Sequence, residues 1–160
     1  MSVKKPLLYS LLLAVTVLFS TTSCKKCSVA EEDSSSGLIV ANAIIYPISG
    51  NSSSNMGGNY HITAGHNYAS NFEVSFDGGL TRQAIDYSQY HVLGMPMDIN
   101  CEASFNRSIT VNDVLATTTY SVIATTCSSC EQEYSVENWV LTTPLPAYTI
   151  VYDPETVTQN

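Results

Sequence analysis

Positive charge is scarce in this sequence. The 160 residues contain 6 Lys and Arg against 14 Asp and Glu, which gives a formal net charge of −8 at pH 7. From residue 38 onward the only Lys or Arg side chains are Arg82 and Arg107. Binding to nucleic acid depends on such cations, because they neutralise the phosphates. The composition therefore predicts no nucleic-acid partner.

Long apolar runs are also scarce. One extends from Leu7 to Phe19, and it is shorter than the roughly 20 residues that a helix needs to span a bilayer. No second run approaches that length, and no later window keeps the apolar spacing of an amphipathic helix. The sequence therefore predicts neither a permanent membrane-spanning helix nor a helical domain.

Catalytic motifs are missing as well, because no phosphate-binding loop, dinucleotide fingerprint or EF-hand spacing occurs. Residues 61–66 (HITAGH) resemble the element that carries the catalytic histidine of trypsin-like serine proteases, and residues 112–115 (NDVL) resemble the one that carries their aspartate. This resemblance implies His66 as a base and Asp113 as its orienting partner. No Gly-Asp-Ser-Gly-Gly nucleophile motif follows. We interpret the match as coincidence and predict a protein that is not an enzyme and has no catalytic residues.

The N-terminus has the parts of an export signal. Lys4 and Lys5 form a short positive head, the apolar run follows, and small residues at 20–23 lead to Cys24. This order resembles the signal peptide and lipobox of bacterial lipoproteins, with Thr21 where leucine is usual. The resemblance is confined to these residues and implies that 1–23 is a signal peptide and that lipid such as palmitate is attached to Cys24. Each buried CH₂ contributes about 0.8 kcal/mol, so two or three chains would anchor the protein firmly in a membrane.

Residues 24–37 are polar, charged and rich in serine. Such a segment buries too little apolar surface to order itself, so we predict a lipidated flexible tether. Its acidic residues at 31–33 are similar to signals that send some Gram-negative lipoproteins to the cell surface. We expect a lipid-anchored protein of the cell envelope, in the outer membrane of a Gram-negative bacterium, with surface exposure as an open alternative.

The remaining residues, 38–160, are enough for one domain with a core. Between Met97 and Phe105 apolar and polar residues alternate, and Thr118–Cys127 is dense in β-branched residues and tyrosine. Further predicted strands cover residues 39–48, 60–64, 71–77, 107–111, 134–142 and 148–152. About seven or eight short strands predict an all-β fold, most simply an antiparallel β-sandwich of immunoglobulin-like type, with a jelly roll or a small barrel as alternatives. Residues 74–79 (VSFDGG) resemble the strand-turn corner of bacterial immunoglobulin-like modules.

Three cysteines belong to this domain, namely Cys101, Cys127 and Cys130. The cell envelope is an oxidising compartment, so structural disulfides are the first hypothesis, with Cys27 of the tether as a further partner. The spacing of Cys127 and Cys130 leaves a redox pair or a zinc site as alternatives. The sequence lacks the strand-helix context of a redox pair and the second cysteine pair that zinc would favour.

A soft set of side chains occurs at His91, Met95 and Met97. Imidazole and thioether groups suit copper(I), so a copper site is the alternative to a protein without a cofactor. The two methionines would equally fit a domain core, where flexible thioethers fill irregular space.

The polar stretch 86–91 contains Tyr87 and Tyr90, which makes it a candidate contact loop. Because no catalytic set emerges, we expect a non-catalytic binding or interaction domain that is held at the membrane by its lipid anchor. Its ligand is open between a protein and a glycan. Copper binding in the envelope is the alternative function.

Overall fold

The computed structural model describes residues 32–48, 58–100, 102–127 and 133–159. Within these ranges the chain forms ten β-strands and a 3₁₀ turn at Ala69–Asn71. The strands are β1 (Ser34–Gly37), β2 (Ile44–Pro47), β3 (Tyr60–Ile62), β4 (Phe72–Ser75), β5 (Gln83–Ala84), β6 (His91–Asn100), β7 (Ala103–Asn112), β8 (Thr117–Cys127), β9 (Glu133–Thr142) and β10 (Thr149–Gln159). The described part of the chain contains no helix of the length and apolarity needed to cross a membrane. The prediction of an all-β protein is confirmed.

The strands form three sheets. The wide sheet has the order β1-β7-β8-β10, the central sheet has the order β3-β6-β9, and the small sheet has the order β2-β4-β5. Five of the described strand pairs are antiparallel, as expected from the sequence. The other two lie at the edges of the wide sheet, where β1 runs parallel to β7 and β10 runs parallel to β8. The arrangement is therefore mixed at these two edges.

Three connections pass between the wide sheet and the central sheet, from β6 to β7, from β8 to β9 and from β9 to β10. We call the first two the crossovers. Asn100 pairs with Glu133 and Ala103 pairs with Thr126, so both crossovers lie at the same end of the molecule, which we call the crossover end.

The single strand predicted between Met97 and Phe105 is in fact the end of β6 and the start of β7. The alternation continues across the boundary because both strands turn apolar side chains toward one cluster.

The larger apolar cluster lies between the wide and central sheets. Its buried members are Leu93, Met95, Met97, Ile99, Phe105, Ile109, Tyr120, Val122, Ala124, Val140 and Leu145. The Tyr120 hydroxyl donates a 3.0 Å hydrogen bond to the backbone carbonyl of Asn138, which spares the cost of an unpaired polar atom in the core. Arg107 reaches toward the same residue, and its Nε donates to Oδ1 of Asn138 at 3.0 Å. The two sheets are thus joined by polar contacts as well as by apolar packing.

A second apolar cluster lies between the central and small sheets. Its buried members are Ile62, Phe72, Val74, Ile85, Val92 and Leu141. Neighbouring residues of β6 point to opposite clusters, since Val92 belongs to this one and Leu93 to the larger one. The central sheet is therefore the middle layer along this part of β6. Strands buried on both faces have continuous apolar sequence, which explains the run from Val92 to Met95.

Gly94 lies in one row with an aromatic residue on either side. β3 pairs Tyr60 with Gly94, and β9 pairs Trp139 with Gly94. The indole covers the glycine so closely that a Cβ built on Gly94 would lie 1.9 Å from Cζ3 of Trp139. The missing side chain therefore makes the space in which Trp139 lies, as in the aromatic rescue of glycine in β-sheets.

The fold includes residues of the segment that the sequence assigned to the tether. Residues 34–37 form β1, which pairs with β7. Just before β1, Oδ1 of Asp33 accepts the Phe105 N–H at 3.0 Å, and Oδ2 accepts Nη1–H of Arg107 at 2.9 Å. The Asp33 side chain is 54% exposed, so the ion pair contributes little on its own. Together with β1 it fixes where the chain enters the domain, before the boundary placed at residue 38.

We predict that Gly94→Ala destabilises the protein by about 1–3 kcal/mol, because the added methyl group overlaps the indole of Trp139. Urea denaturation measures the change. Gly65→Ala is the matched control, because a Cβ on Gly65 would have no atom within 4 Å, and we expect a change within about 0.5 kcal/mol. Equal losses for the two variants would contradict the packing described for Gly94.

Candidate functional site

A continuous group of aromatic rings extends from the second cluster to the surface. The ring centroids of Phe72 and Trp139 are 4.7 Å apart, those of Trp139 and Tyr60 are 6.1 Å apart, and those of Tyr60 and Tyr68 are 5.9 Å apart. His66 completes the group, 5.5 Å from Tyr68. Phe72 is buried, whereas the other four are partly exposed. We call Tyr60, His66, Tyr68 and Trp139 the aromatic face.

Strand register and a tight turn position these rings. β3 is only three residues long and begins with Tyr60, next to Gly94. The chain then turns, with the His66 N–H donating to the carbonyl of Thr63 at 3.0 Å. Nδ1 of His66 accepts the backbone N–H of Tyr68 at 3.2 Å, which brings both rings against Tyr60. Backbone hydrogen bonds therefore hold every member of the aromatic face.

Glu137 borders the aromatic face. It lies two residues before Trp139 on β9, so both side chains project from the same side of the central sheet. Burial raises the pKa of Glu137 above its ordinary value. Burial also raises the pKa of Tyr60, with further contributions from Tyr68 and Glu137, so the carboxyl group lies within electrostatic reach of the Tyr60 phenol. The next row of the sheet, Asp98 and Ser135, is exposed.

Two polar atoms at this border have no partner. Among the described residues, no hydrogen bond reaches Oε2 of Glu137 or Nε1 of Trp139, although solvent does not reach them either. Buried polar atoms are normally paired, and an unpaired one calls for an explanation. An acceptor, a donor and adjoining ring faces are the elements of a site that binds a small polar ligand.

The amino-acid sequence alone does not reveal this site, because Tyr60, Glu137 and Trp139 form no local motif. The available signal was Gly94, since a glycine inside a strand pattern often marks close approach by another group. Which groups approach it depends on the register of β3 and β9, and a single sequence does not specify that register.

A histidine pair lies on the opposite side of the central sheet. Nε2 of His61 is 2.9 Å from Nδ1 of His91, and Nδ1 of His91 also accepts the Leu145 N–H at 3.3 Å. Because Leu145 can only donate, Nδ1 of His91 is the acceptor in both contacts, and the shared proton belongs to His61. Burial, then His91 and His66, lowers the pKa of His61, and burial lowers that of His91. Both rings are therefore neutral near pH 7.

The predicted copper ligands share one side of β6 without forming an open group. His91 contacts His61 and Leu145, whereas Met95 and Met97 are 1% and 5% exposed inside the larger cluster. Among the described residues, no group of three or more His, Cys, Asp or Glu is placed to hold a metal ion. The burial of the methionines agrees with their alternative reading as core residues. Copper binding at His91, Met95 and Met97 stays a prediction.

The predicted contact loop is built around Asp86. Its Oδ1 accepts the N–H and the hydroxyl of Ser88, and its Oδ2 accepts Nε2–H of Gln89. Tyr87 and Tyr90 are partly buried against the second cluster. Burial raises the pKa of Tyr87 to about 12. The polar residues of the loop are thus more exposed than the two tyrosines that suggested it.

The residues of the protease-like elements have separate partners. His66 belongs to the aromatic face, where its Nδ1 accepts the Tyr68 N–H. Asp113 lies in the turn between β7 and β8, and its Oδ1 accepts the hydroxyl of Tyr148 at 3.1 Å. No described hydrogen bond connects His66 with Asp113, so the geometry offers no support for the protease reading.

The predicted lipidation and disulfide sites lie largely outside the described residues. This applies to Cys24, Cys101 and Cys130. Cys127 ends β8, is 4% exposed and has an interaction partner. The structural disulfides among Cys101, Cys127 and Cys130 stay a prediction, with the pairing open.

The fold and the site together define an all-β protein with a partly exposed aromatic face. No protein-family model matches the chain, and neither a curated protein nor a solved structure matches it. The function therefore follows from the chemistry of the site.

We predict that the free energy of unfolding falls as the pH is lowered from about 7 to about 5. His61 and His91 have lowered pKa values in the folded protein, so the unfolded chain takes up protons first. Their stabilisation is complete above the ordinary histidine pKa of about 6.5 and is lost as the pH falls toward the lowered values. Urea denaturation at a series of pH values measures the effect.

The double variant His61→Gln/His91→Gln is the control for this prediction. It removes both titrating rings, so we expect a clearly smaller loss of stability between pH 7 and pH 5. Glu137 acts in the opposite direction, because its raised pKa makes protonation favour the folded state. Asp77, with a pKa lowered to about 2, titrates below this range. An unchanged pH dependence in the double variant would show that other groups cause the loss.

Proposed function

We propose that this protein is a membrane-anchored lipoprotein of the bacterial cell envelope with a non-catalytic binding domain. The aromatic face is the observation that carries the proposal. It combines partly exposed rings with an unpaired acceptor on Glu137 and an unpaired donor on Trp139. Binding sites commonly combine apolar surface with a few polar groups that orient the ligand.

Rigidity supports binding at this face. Trp139 packs on Gly94, whose strand β6 is hydrogen-bonded to β3 and β9, so the indole ring has little freedom to lose when a ligand arrives. A preformed surface binds with a smaller entropic cost than a mobile one.

The domain itself is proposed to be a β-sandwich of immunoglobulin-like type. Support comes from the larger cluster, which two sheets enclose, and from the two crossovers that join them at one end. The small sheet on the other side of the central sheet extends this plan. In such folds the loops and open sheet faces carry binding sites on a rigid scaffold.

The proposed anchor rests on the apolar run and the small residues that precede Cys24. We predict that cells expressing the protein incorporate labelled palmitate into it and that Cys24→Ala abolishes the incorporation. Cys27→Ala is the matched control, since it removes a cysteine three positions away and should leave labelling intact. Labelling of the Cys24→Ala protein at the wild-type level would exclude the proposed anchor site.

The binding role can be tested with the fluorescence of Trp139, the only tryptophan in the chain. We predict that at least one class of soluble ligand shifts or quenches this emission in a saturable way. The panel contains neutral oligosaccharides, sulfated oligosaccharides, tetramethylammonium, short peptides and copper(I). Glu137→Ala should weaken the response about tenfold, because a hydrogen bond to a charged group is lost. A protein that responds to no class would not be a binding module at this face.

A further inference from the structure

We propose that the aromatic face binds a neutral oligosaccharide, with a pyranose ring stacked on Trp139 and Tyr60 and a sugar hydroxyl bonded to Glu137. The inference rests on the proposed function and specifies its ligand class. It follows from three features: the orientation of the two rings, the hydrogen-bonding capacity of the unpaired atoms, and the local charge.

The two rings form an extended surface. Tyr60 and Trp139 lie on either side of Gly94, with centroids 6.1 Å apart and planes inclined at 37°. Tyr68 meets Tyr60 edge to face, at 78°, and so borders this surface on one side. A pyranose presents flat faces of C–H groups, which pack on aromatic rings and remove apolar area from water. Two adjoining rings offer more area than one sugar residue needs, which favours a chain over a monosaccharide.

The unpaired atoms require a ligand that both donates and accepts hydrogen bonds. Nε1 of Trp139 can only donate, whereas an ionised Glu137 can only accept. A hydroxyl group satisfies either one. An ammonium ion would leave the indole N–H unpaired, and a phosphate or sulfate would have no proton for Glu137. Among common small ligands, a polyhydroxylated one therefore fits this pair best.

Charge at the site excludes anionic sugars. Glu137 borders the rings, and Asp98 follows in the next exposed row. All four lysines lie before residue 27 in the chain. Arg82 lies over the ring of Tyr46, and Arg107 forms an ion pair with Asp33. Among the described residues, both arginines therefore make their cation contacts outside the aromatic face. A sulfated or uronic-acid chain would thus meet repulsion without compensation.

Binding must involve a small movement of Glu137. Its Oε2, like Nε1 of Trp139, is shielded from solvent in the free protein, yet the Glu137 side chain as a whole is partly exposed. Rotation about its side-chain torsions presents the carboxylate to a ligand that lies on the rings. Transfer of Oε2 from an unpaired position to a hydroxyl also removes the cost of leaving it unpaired, which adds to the free energy of binding.

The test is a titration of the full chain in a polyoxyethylene detergent, which carries no sugar headgroup. Cellohexaose, mannohexaose and chitohexaose are the neutral probes, and the emission of Trp139 is the signal. We expect at least one of them to bind with a Kd below about 1 mM. A heparin-derived hexasaccharide and tetramethylammonium serve as the anionic and cationic comparisons, and both should leave the emission unchanged.

Variants locate the binding. Glu137→Ala and Tyr60→Leu should each weaken the best neutral probe about tenfold or more, because one removes the acceptor and the other removes a ring. The matched controls make the same substitutions away from the site. They are Glu155→Ala on β10 and Tyr148→Leu just before β10, and both should keep wild-type affinity. Tyr60→Phe, which keeps the ring, supplies a second measurement and should retain more affinity than Tyr60→Leu. Circular dichroism establishes that each variant is folded.

Two results would overturn the inference. Saturable binding of the sulfated or the ammonium probe, without binding of any neutral one, would refute the ligand class and leave a binding module in place. Binding of a neutral probe that Glu137→Ala and Tyr60→Leu do not weaken would refute the location. Absence of a response to every class would instead refute the proposed function itself, so the two failures are distinguishable.

Discussion

The ladder between β6 and β9 is the element on which the rest of the structure depends. Its register pairs ten residues of one strand with ten of the other, from His91 with Thr142 to Asn100 with Glu133. Because the ladder satisfies backbone N–H and C=O groups, the central sheet can bury apolar side chains on both faces. The wide sheet packs on one face and the small sheet on the other. The same ladder places Trp139 opposite Gly94, so core packing and the aromatic face share one set of hydrogen bonds.

The sequence predicted the strands better than it predicted their connections. Thr118–Cys127 and residues 134–142 correspond to β8 and β9 within one residue, because β-branched density and alternation report local burial. Alternation between Met97 and Phe105 predicted one strand where a crossover joins two. The alternation of apolar and polar residues shows only which side of the chain is apolar. It continues from β6 into β7 because both strands face the larger apolar cluster, although they belong to different sheets. The parallel edges of the wide sheet left no local signal either.

The candidate site was harder to predict than the fold. Tyr60, Gly94 and Trp139 are distant in sequence and meet only through the registers of β3 and β9. The motifs that were visible in the sequence were local ones, such as His91 with Met95 and Met97. Burial of the two methionines shows what a local motif leaves open in a sheet protein. Alternate residues of a strand face the same side, whatever that side contacts. Chemistry that depends on cross-strand neighbours needs the pairing as well.

The entry point of β1 has a geometric consequence for a lipid-anchored protein. Asp33 contacts Phe105 and Arg107 beside the crossover end, and about nine residues separate it from Cys24. That length of chain spans at most roughly 30 Å even when fully extended. An anchor at Cys24 would therefore attach the domain on the side of its crossover end. The β7–β8 turn, with the exposed Val114, lies at the other end of β7 and would be the part of the wide sheet farther from the point of attachment.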